Sequence, residues 1–210
     1  MMQIAIDGPA ASGKTSLGRA IARHFHFLFV ETGKMYRAVA LGLERGLALN
    51  EVHVTMSDAG RILLNGEDVS DILHTPELDQ ASSRVATRPE VRELLVRLQQ
   101  EIAEGHDVVM EGRDIGTVVL PHADVKIFLQ ASPEERARRR ASERNQTQLS
   151  RTLREIVTRD RRDQTRTIAP LNPASDAIIM NTDNKSLAEV VSEAIALVEE
   201  RLHTGDTAAK

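Results

Sequence analysis

The segment at residues 8–15, with the sequence Gly-Pro-Ala-Ala-Ser-Gly-Lys-Thr, constrains the fold more than any other part of the chain. It matches the pattern G-x-x-x-x-G-K-[ST], in which backbone N–H groups surround phosphate oxygens at the start of a helix. A short apolar strand at residues 3–7 precedes it, and a helical stripe of Leu17, Ile21 and Phe25 follows. The sequence therefore predicts a nucleoside triphosphate site in which Lys14 reaches the β- and γ-phosphates and the Thr15 hydroxyl contacts Mg²⁺.

Strands alternate with helices along most of the remaining chain. We expect strands at residues 28–30, 107–110, 124–129 and 177–180, and helices at residues 35–45, from residue 89 up to Gly105, from residue 133, and from residue 186 to about 202. This alternation predicts an α/β fold of three layers, with a parallel sheet flanked by helices. Ligands of such sheets bind at the carboxyl ends of the strands, where the phosphate loop also lies.

Residues 61–69 break this alternation, because Asn65-Gly66 between two short segments predicts a hairpin. We assign the hairpin to a small insertion at about residues 51–87. The expected core is about residues 1–50, 88–135 and 165–202, with a lid at about residues 136–164 and a flexible tail at residues 203–210. Two S-x-x-E sequences, which begin at Ser132 and Ser186, predict capping boxes at helix starts.

Composition narrows the class of function. The chain of 210 residues has no cysteine, which excludes disulfides, thiolate metal sites and thiol catalysis. With 4 Phe, 1 Tyr and no Trp it has few platforms for base stacking, so we expect no nucleic-acid polymer as a partner. No apolar run approaches the roughly 20 residues that span a bilayer, and the first residues lack a signal-peptide pattern. We therefore expect a cytoplasmic protein without a membrane partner.

Charge is unevenly distributed. The net charge is −4, yet residues 131–170 contain eleven Arg, four Glu, two Asp and no Lys. Such a segment is either a solvated helical surface or a site where guanidinium groups bind an anion. Helical spacing groups its side chains into two stripes, at residues 136, 139 and 140 and at residues 159, 163 and 166. The second stripe mixes two cations with one carboxylate. Fixed cations of this kind suit an enzyme that brings two phosphate-bearing ligands end to end, since phosphates repel each other and the transferring group is negative.

Other classes of nucleotide-binding protein fit less well. A GTPase needs the guanine-reading sequence N-K-x-D, and the nearest match, Asn184-Lys185-Ser186-Leu187, lacks the Asp. A motor or transporter ATPase stays open, because Glu111 follows a run of apolar strand residues. A regulatory protein that binds nucleotide without transferring phosphate also stays open.

Six segments in order carry a resemblance to a known family. They are the phosphate loop, Glu-Thr-Gly-Lys-Met-Tyr-Arg at 31–37, Gly-Arg-Asp-Ile-Gly-Thr-Val-Val at 112–119, Arg-Ala-Arg-Arg-Arg at 136–140, R-D-x-x-D-x-x-R at 159–166 and Pro-Leu-Asn-Pro-Ala at 170–174. Over about residues 3–200 the chain resembles the bacterial cytidylate kinases. The resemblance implies a P-loop kinase fold with a nucleotide-binding insertion and an arginine-rich lid. It also implies transfer of the γ-phosphoryl group of ATP to CMP or dCMP with Mg²⁺. We expect the protein to be a monomer.

The resemblance implies roles for individual residues. It places ATP against Gly8, Pro9, Ala10, Ala11, Ser12, Gly13, Lys14, Thr15 and Ser16 and against Arg136 and Arg140 of the lid. It assigns the cytosine to Ser83, Arg92 and Asp114, the sugar to Thr32 and Asp163, and the CMP phosphate to Arg37, Arg113, Arg159 and Arg166. Lys14, Arg136, Arg159 and Arg166 are the expected catalytic residues, and Thr15 is the expected Mg²⁺ contact.

Some positions depart from the pattern of this family. Glu31 stands where Asp is usual, Lys34 replaces a small residue, and the insertion is shorter than in the longest members. We expect Lys34 to be a surface residue. Kinases with the same core that act on UMP, AMP or shikimate are the alternative, and the set of Ser83, Arg92 and Asp114 argues against them.

Overall fold

A computed structural model describes residues 1–143 and 148–208, with side chains described up to residue 203. The strands in these ranges are β1 Gln3–Asp7, β2 Leu28–Glu31, β3 Val54–Met56, β4 Ile62–Leu64, β5 Glu67–Asp68, β6 Val108–Gly112, β7 Val125–Gln130 and β8 Ile178–Asn181. The helices are α1 Lys14–Phe25, α2 Thr32–Glu44, α3 Pro76–Val85, α4 Pro89–Ala103, α5 Pro133–Glu143, α6 Leu149–Thr165 and α7 Leu187–Ala208. A 3₁₀ turn at Leu49–Glu51 and a π-helical turn at Ile115–Val119 complete the described elements.

Five strands form one parallel sheet in the order β2-β6-β1-β7-β8. The central strand β1 pairs with β6 and β7, so that Ile4 lies between Val109 and Val125. Residues of β1 and β6 are buried on both faces of the sheet, as the continuous apolar strands of a parallel sheet require. The α/β prediction is confirmed.

Helices cover both faces of this sheet. Leu17 and Ile21 of α1 pack with α7 and with Ile6 on one face. Met35 of α2 and Leu95 of α4 pack with other core residues on the opposite face. The sheet and the helices on its two faces therefore form three layers. The carboxyl ends of the strands stay open for ligands.

The insertion contains the predicted hairpin. Asn65 and Gly66 have φ angles of 50° and 84°, the left-handed values that a two-residue turn between β4 and β5 needs. β3 extends the hairpin to a three-stranded antiparallel sheet that packs on α2. Neither β3 nor α3 was predicted, although the Thr75 hydroxyl caps α3 by accepting from the Leu78 N–H at 3.2 Å.

Helices α5 and α6 lie in the arginine-rich segment that is predicted to form a lid, and we refer to them below as the lid. They pack on each other, and α6 also packs on α3. The predicted capping box at Ser132 is only half formed. Its hydroxyl accepts from the Glu135 N–H at 3.3 Å, but Asp183 rather than Glu135 accepts from the Ser132 N–H, at 2.9 Å. The box at Ser186 is complete, with Glu189 as its second member.

The last helix, α7, continues through Ala208 and is therefore longer than the expected end near residue 202. Within the described part of the chain, the helices lack the combination of length and apolar character that crossing a membrane requires.

Candidate active site

The phosphate loop lies between the end of β1 and the start of α1. Gly8 has a φ angle of 149°, and a Cβ atom there would lie 2.6 Å from the carbonyl oxygen of Leu129 in β7, so a larger residue does not fit. Gly13, with a φ angle of 97°, directly precedes the first residue of α1. The loop therefore presents its backbone at the positive end of a helix, where phosphate binding is favoured.

Lys14 lies buried at this helix start. Its Nζ donates to the Pro9 carbonyl oxygen at 2.8 Å, so the ammonium group folds back over the loop. Burial lowers the pKa of Lys14, and the nearby Arg113 guanidinium lowers it further. A phosphate bound here would oppose both effects, because negative charge favours the protonated amine.

The Thr15 hydroxyl donates to the Oε1 atom of Glu111 at 2.6 Å. Glu111 lies near the end of β6 and is buried, and burial raises the pKa of its carboxyl. A hydroxyl and a carboxylate are hard oxygen donors of the kind Mg²⁺ selects, with phosphate oxygens and water as further ligands. The pair therefore fits a Mg²⁺ ion that arrives with a triphosphate.

A cleft of about 490 Å³ opens beside the loop, within the size range of small-molecule sites. All nine residues predicted for the acceptor nucleotide line it: Thr32, Arg37, Ser83, Arg92, Arg113, Asp114, Arg159, Asp163 and Arg166. Residues 10–16 of the loop and Arg140 of the lid line the same cleft. The structure thus brings together side chains that lie far apart in the sequence.

The predicted base residues Arg92 and Asp114 form a buried ion pair, with exposed fractions of 4% and 5%. Arg166 joins them, since its Nη2 lies 3.4 Å from the Asp114 Oδ1 atom. Arg92 also donates from Nη1 to the Tyr36 hydroxyl at 3.3 Å. Burial raises the pKa of Tyr36 to about 12, so this hydroxyl stays protonated. Arg92 is consequently held from two sides.

The predicted sugar residue Asp163 lies next to the predicted base residue Ser83, whose hydroxyl donates to its Oδ1 at 3.4 Å. Arg113 donates from Nε to the Oδ2 of Asp163 at 3.1 Å. Burial acts to raise the pKa of Asp163, but Arg113 and Arg159 outweigh it and hold the pKa below its usual value. The other sugar residue, Thr32, donates its hydroxyl to the Glu111 carbonyl oxygen at 2.7 Å.

Three of the lining arginines converge on one carboxylate, Asp79 of α3. Arg37 lies 3.0 Å from its Oδ1 through Nε and 2.9 Å through Nη2, Arg140 pairs with its Oδ2, and the Nη1 of Arg159 lies 3.7 Å from its Oδ1. These arginines come from α2, α5 and α6, so Asp79 joins the insertion to the lid.

In the part of the chain that the structure describes, two buried donor atoms of lining arginines make no hydrogen bond of normal geometry: the Nε of Arg159 and the Nη2 of Arg166. Each takes part only in an ion pair, at 3.9 Å from the Asp163 Oδ2 atom and 3.4 Å from the Asp114 Oδ1 atom, respectively. Burial lowers the pKa of Arg159 to about 10, and Arg113 adds to the effect. Buried donors without acceptors are costly, and an anionic ligand in the cleft would supply the acceptors.

Arg136 does not line the cleft. It is 3% exposed, pairs through Nη1 with the Asp160 Oδ2 at 2.6 Å, and donates to the Ala10 carbonyl oxygen at 3.1 Å. Arg139 turns to the Thr182 hydroxyl at 2.9 Å. The stripe predicted at residues 136, 139 and 140 therefore divides: Arg140 lines the cleft, whereas Arg136 ties the lid to the phosphate loop, and its direct contact with ATP stays a prediction.

The two residues that depart from the family pattern, Glu31 and Lys34, lie close together. Glu31 lies 3.3 Å from Arg37 Nη1 and 3.4 Å from Arg19 Nη2, and Lys34 Nζ lies 3.6 Å from the same carboxylate. The Lys34 side chain is 16% exposed, so it lies at the edge of the site and is less accessible than the surface position we expected.

Sequence reasoning missed Asp79 and Tyr36 and weighed Glu111 only for an ATPase. A signal for Asp79 exists, because it precedes Ser83 by four positions and so shares its helix face. That signal depends on helix α3, whose start at Thr75-Pro76 was not predicted. Tyr36 carries no such signal, since a lone tyrosine in a helix is most often a core residue.

A phosphate loop at the centre of a parallel sheet, faced by an inserted helix and an arginine-rich lid, defines a P-loop kinase. Solved structures share this fold: shikimate kinase from Bacteroides thetaiotaomicron has a TM-score of 0.52 at 18% identity, over 94% of this chain and 98% of that chain. A gluconokinase from Sinorhizobium meliloti 1021 has a TM-score of 0.52 at 19% identity, with 97% of each chain covered. The chain belongs to the cytidylate kinase family, whose sequence profile matches residues 4–200.

Full-length relatives agree with this assignment. A cytidylate kinase from Desulfitobacterium hafniense is 43% identical over 97% of this chain and 95% of its own length. One from Pelotomaculum thermopropionicum is 46% identical over 93% of this chain and 95% of its own length, and one from Thermotoga maritima is 43% identical over 96% and 99%. The resemblance stated from the sequence is confirmed.

Proposed function

We propose that the protein is an ATP-dependent kinase that transfers the γ-phosphoryl group of ATP to the phosphate of CMP or dCMP and releases ADP with CDP or dCDP. The observation that carries the proposal is the convergence in one cleft of the phosphate loop, the buried Arg92–Asp114 pair and arginines from several helices. Family membership supports the same reaction.

The donor triphosphate binds in the loop at residues 8–15, where backbone N–H groups and Lys14 contact its oxygens. Thr15 and Glu111 would hold Mg²⁺ on this side of the cleft, and the ion would neutralise charge on the β- and γ-phosphates. Arg140 reaches the same space from the lid. Arg136 stabilises the loop by donating a hydrogen bond to the Ala10 carbonyl oxygen.

The acceptor base is read by Asp114, Arg92 and Ser83. Cytosine offers an amino donor beside acceptors at N3 and O2, so a carboxylate and a hydroxyl can take the amine while a guanidinium donates to the acceptors. Uracil presents a carbonyl in place of the amine, so a lone pair instead of a donor would face the carboxylate and the hydroxyl. An unsatisfied buried acceptor costs about 1–3 kcal/mol, which corresponds to discrimination of about fivefold to 150-fold.

Thr32 and Asp163 hold the sugar hydroxyls, and Arg37, Arg113, Arg159 and Arg166 surround the acceptor phosphate. The Nε of Arg159 and the Nη2 of Arg166, which make no hydrogen bond among the described residues, supply donors for this charge. Transfer itself needs no side-chain nucleophile. The cleft aligns the acceptor oxygen with the γ-phosphorus, and Lys14, Arg159 and Arg166 stabilise the charge that gathers on the transferring group.

The proposal includes the setting of the reaction: the enzyme acts as a monomer in the cytoplasm on ATP and a free nucleotide. A chain without cysteine is in keeping with a reducing compartment.

The test is release of ADP from Mg²⁺ and ATP with CMP, dCMP, UMP, AMP and shikimate offered singly, beside a control with water alone. We expect fast turnover with CMP and dCMP only. Preference for another acceptor would refute the roles of Ser83, Arg92 and Asp114. Turnover that no acceptor changes would refute phosphoryl transfer and indicate an ATPase or a regulatory protein.

A further inference from the structure

The proposed reaction gives no role to Asp79, although it lies at the centre of the arginine cluster. It is 7% exposed, and it belongs to neither the base nor the sugar set. Its arginine partners include Arg37, Arg140 and Arg159, and the reaction assigns each of these to a phosphate group. A fixed negative charge therefore stands among the cations that must bind negative ligands.

The contacts of Asp79 use donor atoms that a phosphate would also use. Arg37 directs both Nε and Nη2 at Asp79 and its remaining Nη1 at Glu31, so all three of its nitrogens face carboxylates. The Nε and Nη2 of Arg37 both approach the Oδ1 atom of Asp79, and the Nη2 of Arg140 approaches its Oδ2 atom. Phosphate oxygens accept from the same guanidinium nitrogens. A phosphate that binds Arg37 or Arg140 through these atoms must displace Asp79 from them.

Asp79 is an anion at neutral pH. Burial acts to raise the pKa of its carboxyl, but Arg37, Arg140 and Arg159 together outweigh burial and hold the pKa below its usual value. Neutralising the carboxyl therefore cannot relieve the competition near pH 7, and the competing ligand meets a full negative charge.

We propose that Asp79 is an internal counter-anion that competes with phosphate groups for Arg37, Arg140 and Arg159. It compensates these cations when the cleft holds no ligand, and it lowers the affinity of the cleft for every phosphate group. A ligand that offers only a phosphate then binds weakly, because it must displace Asp79. A nucleotide offsets the free energy of this displacement through its contacts with Arg92 and Asp114. The inference rests on the proposed function for the identity of the nucleotide.

The test compares the unmodified protein with Asp79→Asn, which keeps the shape of the side chain and removes its charge. Glu77→Gln is the matched control, because Glu77 is an exposed acid two positions earlier on the same helix. Binding of CMP, cytidine and inorganic phosphate is measured by titration calorimetry at constant ionic strength. Cytidine carries the base and sugar without the phosphate and so separates charge competition from any general change in the cleft.

We expect Asp79→Asn to bind CMP about tenfold more tightly, with a gain of similar direction for inorganic phosphate and no change for cytidine. Glu77→Gln should change every affinity by less than about twofold. Weaker CMP binding by Asp79→Asn would overturn the proposal, because Asp79 would then organise the arginines for the ligand. An equal gain for CMP and cytidine would also overturn it.

Asp79→Ser provides a second uncharged variant if Asp79→Asn does not fold. If both variants fail to fold while Glu77→Gln folds, the role of Asp79 is structural and the proposal is wrong. The unmodified protein separates this result from the proposed function: if it phosphorylates CMP, the reaction stands whatever Asp79→Asn does. If it neither binds nor phosphorylates CMP, the proposed function has failed.

Discussion

Replacing Asp114 by Asn tests how the cleft reads its base. The Asp114 side chain is 7% exposed and is paired with Arg92, whose side chain is 5% exposed. Asn keeps the shape of the side chain but offers one neutral acceptor oxygen in place of two charged ones. Hydrogen bonds to charged groups contribute about 1.5–3 kcal/mol, so the KM for CMP should rise about 10- to 150-fold. The KM for ATP should stay within about twofold, because Asp114 lies on the acceptor side of the cleft.

The same substitution should also destabilise the fold. Removing one partner of a buried ion pair costs about 3–5 kcal/mol, and Asn retains part of the interaction, so we expect a loss near the lower limit. For a chain of this size, about 3 kcal/mol corresponds to a fall in Tm of roughly 6–12 °C. Kinetics must therefore be measured well below the lowered Tm.

The assay is steady-state ADP release with CMP varied at saturating ATP and with ATP varied at saturating CMP. Asp124→Asn is the matched control, since Asp124 accepts from the Gln3 N–H at 2.8 Å and does not line the cleft. Its KM values should match those of the unmodified protein. Equal increases in the KM for CMP and for ATP after Asp114→Asn would refute the assignment of Asp114 to the base, as would an unchanged KM for CMP.

Three further substitutions probe the loop and the transfer step. Burial raises the pKa of Asp7 from its usual 3.8 to about 6, so its contribution to stability is complete below pH 3.8 and is lost as pH rises through 6, a change of roughly 3 kcal/mol. In urea titrations, Asp7→Asn should flatten the dependence of the unfolding free energy on pH across this range. An unchanged pH dependence would contradict the raised pKa of Asp7. Lys14→Met should lower kcat by about 10²–10³-fold while leaving Tm unchanged or higher, because the buried ammonium is costly in the absence of ligand. Activity within about tenfold of normal in rapid-quench assays would count against its role. Arg166→Ala should lower kcat more than it raises the KM for CMP, and a change in KM alone would place Arg166 in ground-state binding.

The outline of the fold follows from local sequence signals. The phosphate loop, the apolar strands and the Asn65-Gly66 turn each depend on neighbouring residues, and the structure agrees with them to within a few residues. β3 escaped prediction because three residues, Val54–Met56, are too few to show alternation. α3 escaped because its sequence mixes apolar and polar residues without a long stripe.

Part of the site was predictable from the family resemblance, not from local sequence signals. The residues of the acceptor set were carried over from a family resemblance, and the cleft brings all of them together. Arg136 shows the limit of helical spacing, since residues that share a helix face with Arg140 can still point into the protein, where Arg136 meets Asp160. Asp79 shows a second limit of prediction from sequence. Its role depends on three arginines that approach from three helices and are distant in sequence.

The most direct test of the proposed reaction is to identify and quantify its products. The protein is incubated with Mg²⁺, ATP and CMP, and nucleotides and inorganic phosphate are separated by chromatography at several times. Transfer to CMP predicts that CDP and ADP form in equal amounts, with little inorganic phosphate and almost no ADP when CMP is left out. ADP that forms together with inorganic phosphate, and without CDP, would show that water is the acceptor and would contradict the proposal.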